Sequence, residues 1–135
     1  MTDNDLIEKF ESCTLSPESF SHREHVRLAW LYLRSYPTLE AIAKFCLGLK
    51  RFADGIGKAD LYHETITWAY LLLIRERMAR TEAGNWEEFA AANPDLLDRK
   101  TNILNQYYQQ ETLDSALAKQ VFIFPDKITP ASLEH

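Results

Sequence analysis

The chain has 135 residues with 46% hydrophobic and 26% charged content, which excludes a disordered or collagen-like chain and fits one domain with one sizeable core. Fifteen Lys and Arg against twenty Asp and Glu give a formal net charge of −5, so a general nucleic-acid or anionic-membrane binder is not expected. The richest apolar run, Trp68 to Ile74, is far shorter than the roughly 18 residues needed to cross a bilayer and reads as a core helix.

Glycine is scarce, proline falls between periodic segments, and no strand alternation stands out, so the pattern predicts an all-α single domain of five to seven helices. A first helix is expected over about Asn4–Cys13, followed by a turn at Ser16-Pro17-Glu18-Ser19. The second starts at Ser21, which forms a capping-box pattern with Glu24, and carries Val26, Ala29, Trp30 and Leu33 on one face up to Pro37. Thr38 is the expected cap of a third helix whose stripe, Ile42, Phe45, Cys46, Leu49, Phe52 and Ala53, ends at Gly55-Ile56-Gly57.

A fourth helix, about His63 to Arg80, is apolar nearly all round from Ile66 to Ile74, which predicts the most buried element and a central position. Asn85 and Glu88 form another capping box, for a helix from Trp86 to Ala92 that stops at Asn93-Pro94. Shorter helices are expected near Leu97–Tyr108 and Thr112–Gln120. Val121–Phe124 reads as an extended strap closing the core. The domain is expected to span 1–126, with 127–135 a tail whose last residues, Leu133-Glu134-His135, read as an affinity-tag scar.

The N-terminal residues lack the charge and apolar stretch of a secretory signal, so a cytoplasmic location is expected. Cys13 and Cys46 have no CxxC spacing and read as reduced thiols, Cys46 as packed core. No P-loop, GxGxxG, GxSxG or zinc CxxC pair is present.

The histidines carry the chemical signal. His22 and His25 are i, i+3 neighbours that continue the apolar face of the second helix, while Arg23, Arg27 and Arg34 take the other side. Burial and the positive end of a helix dipole both disfavour imidazolium there, and neutral imidazole is the metal-binding form. His63, at the start of the fourth helix, shares a face with Ile66, Thr67, Tyr70 and Ile74. If the two helices are neighbours, His22, His25 and His63 converge on one divalent ion, zinc or iron, with a vacant position for water or substrate.

In that reading Glu64 is an acid/base partner, and Tyr62, Thr65, Thr67 and Tyr107 are pocket residues; the reaction class is hydrolysis or group transfer. HxxH lacks the built-in base of HExxH, so two other readings stay open: structural histidines bonded to carbonyls or hydroxyls, and a metal-free pocket binding a small molecule. A non-catalytic protein-interaction module, including a homodimer that completes its core, is the alternative from another class. Tyr107-Tyr108, Arg75-Glu76-Arg77 and Lys50-Arg51 are weaker candidates, better read as split core and surface or solvated helix ends.

Phe20-Ser-His-Arg-Glu-His-Val26, Gly48-Leu-Lys-Arg-Phe52, Tyr62-His-Glu-Thr-Ile-Thr67, Asn93-Pro-Asp-Leu-Leu97 and Tyr107-Tyr108 together resemble a family of small uncharacterised bacterial proteins with FxHxxHV and YHxTxT motifs. The resemblance runs nearly to Pro125. It implies a bacterial origin and makes His22, His25 and His63 motif positions, without assigning them a role.

Overall fold

The computed structural model describes residues 1–100 and 102–127, and among these it is an all-α fold with no strand. Its helices are α1 (Asp3–Glu11), α2 (His22–Ser35), α3 (Thr38–Gly55), α4 (Glu64–Arg80), α5 (Trp86–Ala92), α6 (Pro94–Leu97), α7 (Gln110–Leu113) and α8 (Ala116–Gln120). Short 3-10 turns occupy Pro17–Ser19, Ala59–Leu61 and Ile103–Gln106.

The helix starts follow capping chemistry with some changes of residue. Thr2 and Asp5 form a reciprocal capping box at α1, at 3.1 and 3.2 Å. Asn85 accepts the Glu88 amide as expected, but the Glu88 carboxylate reaches the Gly84 amide rather than that of the cap. Ser21 is the N-cap of α2 without a side-chain bond, and the Glu24 carboxylate lies 3.4 Å from Arg27 rather than closing a capping box. Pro37, not Thr38, is the N-cap of α3, and Thr38 is its first helical residue.

The centre of the molecule is α2, a correction to the expected place of α4. Seven α2 residues are buried, Val26 and Leu28 through Leu33, and the helix packs against α1, α3, α4 and α6. On α4 only Thr65, Ala69, Leu71 and Ile74 are buried, and Leu72 is 44% exposed. The physical reason is the kind of neighbour: one side of α4 meets the long helices α2 and α3, while the far side is covered by short pieces, α8, the 3-10 turn at Ile103–Gln106 and the chain after α8, which leave Leu72 exposed.

Phe10 of α1 anchors an aromatic cluster with Phe20, Tyr32 and Phe45, at ring separations of 5.7, 6.1 and 6.0 Å. That approach depends on Gly48 of α3, where any Cβ would overlap the Phe10 ring. Cys46 is buried in the same core and Cys13 is exposed. Around 97–108 the expected helix reduces to the 3-10 turn, and the 112–120 helix is two pieces, broken where Ser115 caps α8.

The extended strap is present. Thr65, fully buried, donates to the Val121 carbonyl at 2.9 Å and accepts the Ile123 amide at 3.1 Å, and Phe122 stacks on Trp68. Lys127, expected to begin the tail, instead donates its amide to Tyr107 at 3.0 Å. The rest of the expected tail, with Leu133-Glu134-His135, lies outside the described residues.

Candidate functional site

The three histidines flank the junction of α2, α3 and α4, and each has a different environment. His22 donates through Nε2 to the Leu96 carbonyl at 2.9 Å and meets the Tyr70 ring edge-on at 5.2 Å. His25 stacks on Phe20 with ring centroids 3.8 Å apart. Burial first, then His22 and Arg99, lower its pKa to about 4, against a partly compensating backbone bond at Phe20. This imidazole is neutral at physiological pH, as its position predicts.

His63 is the N-cap of α4. Its Nδ1 accepts the Ile66 amide at 3.1 Å and its Nε2 donates to the Leu113 carbonyl at 2.6 Å, so one ring joins the start of α4 to the end of α7. A metal ligand needs a nitrogen lone pair, and both His63 nitrogens are engaged with backbone. Among the described residues no group of three or more His, Cys, Asp or Glu is arranged to hold a metal ion. As placed, His63 offers no free ring nitrogen to an ion shared with His22 and His25.

Two adjoining cavities lie along this junction. The inner one, about 100 Å³, is bordered by His22, His25, Thr67 and Tyr70 among apolar side chains of α2, α3 and α4. The outer one, about 490 Å³, reaches the surface at Lys58 and Arg99 and includes His63, Tyr62 and Phe52. His25, Leu49, Ile66 and Thr67 border both, so the two cavities are neighbours along one cleft region with a mostly apolar lining and a few polar groups.

The remaining expected site residues separate. Thr67 faces the cleft, and Tyr62 borders its outer part. Thr65 points to the strap, its hydroxyl filled by two backbone bonds. Glu64 borders neither cavity: its carboxylate accepts the Tyr62 hydroxyl at 2.5 Å. Burial, with Cys46 and Glu64 alongside, pushes the Tyr62 phenol up, and the Lys50 ammonium lies 5.0 Å from its ring. Tyr107 is on another face, in an apolar groove of about 320 Å³ between α4 and the strap, with Leu72 and Phe124.

Residues that the sequence pattern did not single out for the site are Tyr70, Leu49, Lys58 and Arg99. Tyr70 had a signal, since it shares the α4 face of Thr67; its hydroxyl bonds to Asn102 at 3.2 Å, and burial pushes its pKa up to about 12. Arg99 lies in an irregular segment where no periodicity assigns a face. No family model, curated protein or solved structure matches the chain.

Proposed function

We propose that the protein is a small-molecule-binding module whose ligand occupies the cleft between α2, α3 and α4. The observation that carries this reading is the pair of neighbouring cavities that share His25, Leu49, Ile66 and Thr67 as walls. A concave, mostly apolar site with a small number of convergent polar groups is the usual form of a small-molecule pocket. The polar groups are a neutral imidazole at His25 and the Thr67 side chain, which suit hydrogen bonding in a mostly apolar site.

The metal-dependent enzyme reading has less support. His63 and His22 are engaged with the Leu113 and Leu96 carbonyls, and the Glu64 carboxylate is engaged by Tyr62. These are the bonds of histidines and a carboxylate that hold elements together.

The test is an amide chemical-shift titration of the tag-free protein with a small amphiphile, 1-hexanol, beside the Leu49→Trp variant. Saturable shifts centred on Leu49, Ile66, Thr67 and Tyr70, lost in a folded L49W protein that fills the cleft, support the reading. Shifts scattered over the surface, or unchanged in the filled variant, overturn it.

A further inference from the structure

We infer that the ligand of this cleft is an amphipathic monocarboxylate, its head at Arg99 and Lys58 and its apolar chain running past Leu49 and Ile66 toward Tyr70. The inference rests on the small-molecule reading above. The charge pattern argues for it. The chain is acidic, with a formal net charge of −5, yet the residues that border the outer cavity include Lys58 and Arg99 and no Asp or Glu.

Among the described residues four arginines are paired with acids, Arg23 with Glu87 at 3.7 Å, Arg27 with Asp3 at 2.7 Å, Arg77 with Asp95 at 2.7 Å and Arg80 with Glu76 at 3.0 Å. Among the described residues, no ion pair includes Arg99 or Lys58. Two cations on the wall of a cavity that no carboxylate borders give a local positive site that attracts and orients an anion. Arg99 is near enough to the cleft wall for its charge to act on His25.

The rest of the outer cavity's lining is mostly apolar, with Leu49, Phe52, Ile56 and Ile66, and Leu49 and Ile66 also border the inner cavity. A compact, heavily charged ligand such as a phosphate ester would leave that surface unused. A carboxylate suits the guanidinium fork and carries a single charge on an alkyl or aryl chain.

Three probes of equal chain length separate the possibilities: hexanoate, 1-hexanol and hexylamine, titrated at low ionic strength and followed by amide chemical shifts. Hexanoate should bind tightest. Raising the salt to screen the mouth, or replacing Arg99 by Gln, should each weaken hexanoate about fivefold and leave 1-hexanol unchanged. Affinity should also rise about fourfold per methylene from butanoate to hexanoate.

Equal binding of hexanoate and 1-hexanol, preference for hexylamine, or an R99Q/K58Q protein that binds hexanoate like wild type would overturn the inference and leave the cleft reading standing. Failure of all three probes to bind would defeat both. The salt series on the wild-type protein decides the charge question even if a variant is poorly folded.

Discussion

The Nε2 of His63 lies 2.6 Å from the carbonyl oxygen of Leu113, fifty positions further along the chain. Because Nδ1 of the same ring caps α4 through the Ile66 amide, one side chain satisfies backbone groups on two elements.

Replacing His63 with Ala should therefore cost about 2 kcal/mol, from a lost N-cap and an unpaired carbonyl. His63→Asn should recover about half, since Asn is a good cap but too short to reach Leu113. Urea unfolding of tag-free protein measures both. The loss should be the same with EDTA or with added zinc; a wild-type stability that rises with stoichiometric zinc would restore the metal reading.

The second prediction concerns pH. The His25 pKa in the folded protein is about 4, below its ordinary value of 6.5, so the unfolded chain binds more protons between these values. The stabilisation is complete above pH 6.5 and is lost as pH falls toward 4. It amounts to about 2–3 kcal/mol between pH 7.5 and 4.5. His25→Gln should flatten that part of the stability profile relative to wild type; parallel profiles for the two proteins would show that His25 is not the group responsible.

These two histidines also show what sequence could and could not reveal. The inward face of α2 and the entry of α4 followed from spacing and capping residues, and proline and glycine marked the limits of α2 and α3. The partners of the rings did not follow: the carbonyls of Leu96 and Leu113 are 74 and 50 residues away from His22 and His63, and any residue supplies a carbonyl. The centrality of α4 failed for a related reason. Leu72 belongs to an all-round apolar pattern, but the pattern does not say whether a long helix or only short pieces and a strap cover that side. Arg99 and Lys58 sit in irregular chain, where only tertiary placement brings them to one opening.

A third prediction tests the α1–α3 crossing. Ala is a better helix former than Gly by about 1 kcal/mol, so Gly48→Ala should stabilise an isolated α3. In the protein its Cβ would overlap the buried Phe10 ring, and overpacking typically costs about 1–3 kcal/mol. Net destabilisation is expected on thermal unfolding, with partial rescue by Phe10→Leu in the G48A background. A more stable G48A protein would mean that α1 moves aside without loss.

The last prediction concerns the strap that covers the outer side of α4. The Thr65 hydroxyl serves the Val121 carbonyl and the Ile123 amide at once, and the Tyr108 hydroxyl adds a bond to the Ile123 carbonyl at 2.6 Å. Thr65→Val keeps the side chain's shape and leaves two backbone groups without their partner, so stability should fall by about 1–2 kcal/mol. Thr65→Ser keeps the hydroxyl and should retain slow amide exchange at Ile123, whereas T65V should expose that amide to solvent. The Trp68–Phe122 stack provides a second readout, because release of the strap changes the surroundings of the Trp68 indole and hence its fluorescence. If serine fails as badly as valine, packing of the Thr65 methyl holds the strap, and the paired hydrogen bonds are secondary.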